Sequence, residues 1–456
     1  MTFASLDFLL FFVIVLGVSA ILERFFPVRF KEFFLLAASY FFYGYWDWRF
    51  CFLLLFVTVA AFFAAKYANR KPVYVAGIIV PLVVLGLFKY FNFFLSSIGA
   101  ICGKELGSLR IILPVGISFY TFQALSYVID VHRGKIAAET DFVRLALYIS
   151  FFPQLVAGPI VRASDFLPQL REDRRVTLSN LQWGIQVFIF GLFKKIVLAD
   201  HLSVFVDDIY RTPAAFHWAT ILLAAVSYSL QIYFDFSGYS DMAIGCAKCL
   251  GYDFNQNFDL PYLSASVTEF WRRWHISLST WLREYLYIPL GGNRKGKGRQ
   301  YVNLFLTMLL GGLWHGASWT FVVWGGINGL ALCADKRRKP QRHRFPRILG
   351  TFLFITFTWI FFRADSFSTA WAVLTGIVTL QDGIRQPFFW SFVALALLGI
   401  HTARVCLRTA PGKPVHDEYP ILKLNSFWGL TAFFFILGLI LCLAFTGENP
   451  FVYFQF

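Results

Sequence analysis

"GGLWHGASWTFVVWGG", residues 311–326, sets one histidine between two tryptophans and rings it with glycines in one of the most apolar parts of the chain. An imidazole buried there needs a hydrogen-bond partner or water, because burial without one costs roughly 1–3 kcal/mol. The stretch begins after "NRKGKGR" (293–299) and ends before "DKRRKPQRHRFPR" (335–347), two strongly basic segments. As a single helix the residues between them would run to about 50 Å. That is too long for one crossing of a ~30 Å hydrocarbon core and too short for two. A helical hairpin or broken helix that turns inside the membrane satisfies the count. Its turn is predicted near Gly311, Gly312 and Gly316, with His315 at a buried tip.

The rest of the chain has the same character. Of 456 residues, 58% are hydrophobic, 20% aromatic and only 15% charged, with mean hydropathy +0.61. A soluble protein carries nearer 25% charged residues. The chain therefore reads as an all-α polytopic membrane protein. Spans are predicted at 6–22, 31–47, 50–66, 73–95, 142–160, 180–198, 216–234, 347–363, 388–405 and 427–446. The segment 111–130 is broken by Pro114 and Gly116 and reads as short or re-entrant. Residues 6–22, preceded by no basic leader or A-x-A-like cleavage site, are expected to be retained as the first span. No internal repeat of 20–50 residues is visible.

The net charge of +15 is gathered in short segments at 24–31, 66–71, 162–175, 294–299, 336–347 and 404–423. Basic loops between apolar runs follow the positive-inside rule and attract anionic lipid headgroups; they do not form a nucleic-acid surface. With those loops cytoplasmic, the N-terminus and the aromatic tail "GENPFVYFQF" (447–456) both lie on the extracytoplasmic side. The seven cysteines are scattered. "CAKC" (246–249) lacks a second pair for zinc and a thioredoxin-like context, so reduced, buried thiols are expected.

Several residues could carry chemistry. His315 can take or give a proton near neutral pH, and ionisable groups at membrane depth mark functional sites; a structural histidine bonded to a neighbouring carbonyl is the alternative. His275 lies in "TEFWRRWHISLSTWLREYLYIPLGG" (268–292), where Phe270, Trp274, Leu278, Trp281 and Tyr285 recur at helical spacing. That pattern predicts one amphipathic helix along the cytoplasmic interface. Arg272 and Arg273 could meet a phosphate-rich cofactor or lipid phosphates. "QIYFDFSGYSDMAIG" (231–245) buries Asp235 and Asp241 six residues apart, off one helical face, which favours polar glue over an acid/base pair. There is no P-loop, no G-x-S-x-G and no H-E-x-x-H, and two histidines forty residues apart make no metal site.

"FWRRWHISLSTWLREYLYIPLGG" and "LLGGLWHGASWTFVVWGGING" resemble the membrane-bound O-acyltransferase superfamily, in its bacterial alginate and peptidoglycan O-acetylation branch. "PVGISFYTFQALSYVIDV", "FFPQLVAGPIVR", "YFDFSGYSDMAIG" and "NFDLPYLSASVTEFW" extend the likeness over most of residues 110–330. The resemblance implies one integral domain, 1–456, with N-terminal helices (1–100), a catalytic core (110–335), C-terminal helices (347–446) and the tail. It implies a ring of about 11 transmembrane helices, with re-entrant and interfacial helices, around a tunnel. His315 is then the signature histidine and general base, and His275 a second polar position. Trp314, Trp319, Asn328, Trp271, Trp274, Arg272, Arg273, Asp235 and Asp241 are the candidate tunnel- or substrate-lining set. The resemblance further implies cytoplasmic acetyl-CoA as acyl donor with no permanently bound cofactor, and an extracytoplasmic SGNH-type esterase or transferase as partner. The acceptor would be a polysaccharide and the location the bacterial cytoplasmic membrane. Tyr453 in the tail is a candidate acyl relay, or else one of several aromatic anchors. D-alanyl transfer to teichoic acid, a secondary transporter and a non-catalytic export scaffold are the competing readings.

Overall fold

The structure is a computed structural model that describes residues 1–172, 174–336, 344–408, 416, 419, 421–445 and 447. Among these residues there is no strand, only an isolated bridge between Phe216 and Ile384. Six helices are long and apolar enough to cross a membrane: Leu6–Phe25, Arg49–Lys66, Lys71–Cys102, Trp218–Cys249, Phe345–Arg363 and Phe389–Arg408. Their surfaces divide them. Only 22% of the apolar window of Leu6–Phe25 and 17% of that of Phe389–Arg408 is buried, against 78% for Trp218–Cys249. Bare Leu, Val, Ile and Phe faces on the first kind would be an aggregation hazard in water and suit hydrocarbon. The protein is a multi-pass membrane protein.

The chain forms two compact units, one of residues 1–188 and 240–255 and one of 189–239 and 256–456. In the first, Phe8, Phe11, Phe42 and Phe152 pack with ring centroids 5.2–6.3 Å apart. Beside this aromatic core lies a lattice of charges. Lys31 Nζ donates to Glu23 (2.6 Å) and to the carbonyls of Arg174 (2.9 Å) and Leu250 (3.2 Å). Glu32 takes Arg29 and Arg144, each at 2.8 Å. The basic segments 24–31 and 162–175, predicted on one side of the membrane, thus come together, and part of their charge is neutralised by carboxylates rather than offered to lipid. Cys246 and Cys249 are buried free thiols, as expected.

Residues 142–160 depart from expectation. They are not one span: a helix over Phe142–Ser150 stops at Phe151, and a single turn follows over Phe152–Leu155. Pro153 cannot donate the bond that would continue the helix. Ser39 Oγ takes the Phe152 N–H at 3.2 Å, so the break is satisfied from a neighbouring helix.

The second unit holds the predicted hairpin. Its arms are Gly296–His315 and Trp319–Asp335, joined at residues 316–318, where Ser318 Oγ caps the second arm on the Thr320 N–H. The two open ends lie side by side, with Cys333 Sγ 3.4 Å from the Tyr301 carbonyl. The turn sits at Gly316, as one of the three predicted places, whereas Gly311 and Gly312 lie inside the first arm. Gly312 has a different use: a Cβ there would come within 2.3 Å of the Phe321 carbonyl, and one on Gly325 within 2.4 Å of the Met308 carbonyl. The arms touch backbone to backbone, which only small residues permit.

Candidate active site

His315 is the last residue of the first hairpin arm and is 5% exposed. The arm runs about 21 Å from Tyr301 to this point at 1.5 Å per residue. Rings enclose the imidazole. Trp324 from the second arm and Phe362 from the helix Phe345–Arg363 meet it edge-on with centroids at 5.2 and 5.3 Å, and Trp314 lies at 5.1 Å. Trp324 also stacks on Trp359 at 5.5 Å and 17°.

His275 approaches the same place from another element, and its setting corrects the sequence reading. The predicted single helix over 268–292 is broken. A short helix Val267–Arg273 ends at Trp274, His275 takes the left-handed conformation (φ +44°), and a second helix Ile276–Leu282 starts from it. The helical periodicity of Phe270, Trp274 and Leu278 was real in spacing but not in geometry. Trp274 leaves the helix to bury its indole against Phe258 (5.0 Å), Trp359 (5.1 Å) and Phe270 (5.4 Å).

Asn257 holds this break together. Its main-chain carbonyl accepts from Ile276 N–H at 2.9 Å. Its Oδ1 accepts from His275 Nδ1 (3.2 Å), Ser277 N–H (3.2 Å) and Ser277 Oγ (2.9 Å). An amide oxygen cannot donate, so Nδ1 carries the proton and Nε2 carries the lone pair. The ring is fully buried, 4.6 Å edge-on to Phe236 and 6.2 Å from Trp314. Both imidazoles therefore neighbour one indole, that of Trp314, at 6.2 and 5.1 Å.

The other expected lining residues separate. Trp271 packs edge-on against Trp324 at 5.6 Å, and Asn328 is fully buried one turn beyond Trp324, donating Nδ2 to the Trp324 carbonyl at 2.9 Å. Among the described residues, the buried Asn328 Oδ1 and Trp324 Nε1 atoms have no hydrogen-bond partner. Trp319, 53% exposed, stands on the outside of the hairpin. Arg272 is exposed, while Arg273 is buried and engaged by Asp259 and Glu269, each at 3.2 Å. Asp235 is buried on Lys195 at 2.9 Å, and Lys195 also takes Asp200 at 2.7 Å. The buried carboxylate is thus paired within its own unit. Asp241 is buried in the other unit.

Tyr453 lies outside the described residues. Just before the tail, Phe445 N–H donates to the Ile196 carbonyl at 3.0 Å. Among the described residues, no group of three or more His, Cys, Asp or Glu could hold a metal ion.

Sequence reasoning missed Asn257, Trp359 and Phe362. The two aromatic residues were visible at i, i+3 on one predicted span, but nothing in that spacing says which neighbour they meet. Asn257 lay in a polar loop, eighteen positions before the histidine it orients.

The helices thus bury two histidines, each within about 6 Å of one tryptophan ring. Residues 38–347 match the model of the membrane-bound O-acyltransferase family, and the chain belongs to it. It is an acyltransferase. It is 42% identical over 376 residues to a probable alginate O-acetylase of Azotobacter vinelandii, covering 78% of this chain and 74% of that protein. It is 38% identical over 392 residues to a peptidoglycan O-acetyltransferase of Helicobacter pylori, covering 77% and 74%. A teichoic acid D-alanyltransferase of Bacillus subtilis is 27% identical over 275 residues, covering 56% and 69%.

Proposed function

We propose that the enzyme moves an acetyl group from cytoplasmic acetyl-CoA to a hydroxyl of a cell-surface or exported polysaccharide, in the bacterial cytoplasmic membrane. The observation that carries this reading is His315 at the buried end of the hairpin, packed by Trp324 and Phe362, with the Trp314 ring near both it and His275. Transfer from a thioester to a hydroxyl needs a base that takes the hydroxyl proton while the oxygen attacks the carbonyl. His315 takes that proton, the thiolate leaves, and the imidazolium returns a proton to it. His275 acts beside it as a positioning residue, its tautomer set by Asn257.

The names of the two relatives at 38% and 42% identity support acetyl as the acyl group and an envelope or exported polymer as acceptor. A D-alanyl donor goes with the relative at 27%, over little more than half the chain. Tyr453 is assigned as an acyl relay to an extracytoplasmic SGNH-type partner. A phenol, with pKa about 10, leaves more readily than a sugar alcohol, so an acyl-tyrosine stays activated. The test uses the full chain in lipid nanodiscs with radiolabelled acetyl-CoA and saccharide acceptors, following thiol release and label transfer. Turnover that survives His315→Ala ends the reading. Full O-acetylation in cells carrying Tyr453→Phe removes the relay and leaves the rest.

A further inference from the structure

A pocket of about 220 Å³ lies in the second unit between two of the membrane-crossing helices, Phe345–Arg363 and Phe389–Arg408. Phe352 contributes to it from the first helix, and Leu395, Gly399 and Thr402 from the second. The rest comes from the 3₁₀ turn Pro261–Leu263, which the chain enters through a left-handed Leu260 (φ +44°). Its walls are mainly carbon. The Tyr262 ring meets Phe352 edge-on at 5.3 Å, and its hydroxyl donates to the Ser229 carbonyl, so that polar atom is already used. An apolar cavity of this kind stays dry and is filled by hydrocarbon. Hydrocarbon is at hand, because the helix Phe389–Arg408 turns Phe392 (57% exposed) and Ile400 (66%) outwards. The pocket is open at Gly399, where a Cβ would meet no atom within 4 Å.

Its depth and the charge above it select the kind of lipid. Phe352 lies seven residues after the start of its helix at Phe345, and Thr402 six residues before the end of its own at Arg408. At 1.5 Å per residue the pocket therefore starts about 10 Å in from both helix ends, and Leu395 lies about 20 Å in. Those two ends carry cations. Arg344 and Arg347 stand at one, Arg404 and Arg408 at the other, within the basic segments 336–347 and 404–423. The first of these segments contains no carboxylate. In a hydrocarbon core about 30 Å thick, a lipid whose chain enters at this depth has its phosphate at the level of the arginines. A zwitterionic lipid satisfies the walls but leaves the positive rim without a counter-charge, whereas an anionic one satisfies both.

We propose that this pocket takes one acyl chain of an anionic phospholipid, whose phosphate is held by the arginines at the two helix ends. The test titrates the full chain in mild detergent with phosphatidylglycerol or phosphatidylethanolamine of matched chains. Native mass spectrometry counts the retained lipid, and thermal unfolding reads its effect. Wild type is expected to retain one phosphatidylglycerol at a concentration roughly tenfold below that needed for phosphatidylethanolamine, and to melt a few degrees higher with it. Gly399→Leu fills the pocket and is expected to retain less than a tenth as much lipid and to lose the rise in Tm. Leu395→Trp fills it from a neighbouring position and should do the same, which guards against a single misfolded variant. Gly438→Leu, on another helix where a Cβ would also meet no atom within 4 Å, controls for added bulk and should bind as wild type does. Arg347→Gln together with Arg408→Gln should bring the two lipids level while a chain stays bound. Filling variants that melt normally without lipid and still retain phosphatidylglycerol as wild type does overturn the site, and so does a wild type that retains neither lipid. Equal retention of both lipids by wild type overturns the anionic assignment.

Discussion

His275 and His315 both lie near the indole of Trp314, and they sit on different kinds of backbone. His315 ends a helix and is oriented by rings, with Trp324 and Phe362 edge-on at 5.2 and 5.3 Å. His275 sits at φ +44°, a conformation that costs a non-glycine residue about 1–2 kcal/mol, and it is tied down by Asn257. Packing fixes where a ring lies. A hydrogen bond from Nδ1 fixes the tautomer as well, before any substrate arrives. Under the proposed function, His315 takes the changing proton and His275 keeps a fixed orientation.

The strongest way to break that division is to remove each ring in turn. His315→Ala is expected to lower acyl-transfer turnover by on the order of 10²–10⁴-fold, the usual contribution of a general base. Thiol release at matched protein, with monodispersity checked by size-exclusion chromatography, measures it. A variant that kept more than a tenth of wild-type turnover would move the base to another residue. Asn257→Ala is expected to cost about 3 kcal/mol of stability, because its Oδ1 accepts three hydrogen bonds, and to slow turnover about tenfold. Asn257→Asp keeps an acceptor oxygen and should recover part of both. If Asn257→Ala melts lower yet turns over normally, the clamp is structural and His275 has no part in the chemistry.

The neighbouring arginines sharpen the same comparison at smaller scale. Arg273→Ala leaves the carboxylate of Asp259 with His416 Nδ1 at 2.9 Å and is expected to cost about 1 kcal/mol in thermal unfolding. Arg272→Ala, at an exposed position, is expected to stay within about 0.5 kcal/mol. Equal effects would mean that the ion pairs of Arg273 contribute nothing measurable to stability.

The two histidines also measure how much could be read from the chain. His315 was legible because its constraint is a length: two basic segments and the apolar distance between them require a turn inside the membrane. The count located the hairpin and Gly316, but it could not tell a turning glycine from a packing one. Gly312 is set by the carbonyl of Phe321, nine residues on. His275 was legible only as a polar residue on a periodic helix. The periodicity failed there because Trp274 gains more from burial among Phe258, Phe270 and Trp359 than the helix loses by breaking, and those partners come from three separate parts of the sequence. The 142–160 segment failed more simply: its composition suits a span, but Pro153 cannot donate the bond that would carry the helix on.

The smallest effect separates strain from chemistry at His275 itself. Glycine adopts positive φ without the Cβ penalty, so His275→Gly is expected to be more stable than His275→Ala by about 1 kcal/mol, even though it buries less. Both variants lose the bond to Asn257 Oδ1, and both should lose turnover to the same extent. Thermal unfolding and thiol release on the pair read the two quantities independently. If glycine and alanine melt together, the left-handed backbone stores no strain, and the break is simply the cheapest path for Trp274 into its pocket. If glycine is the more stable and equally inactive, the chain tolerates strain at this position in order to point one imidazole, which a purely structural histidine would not require.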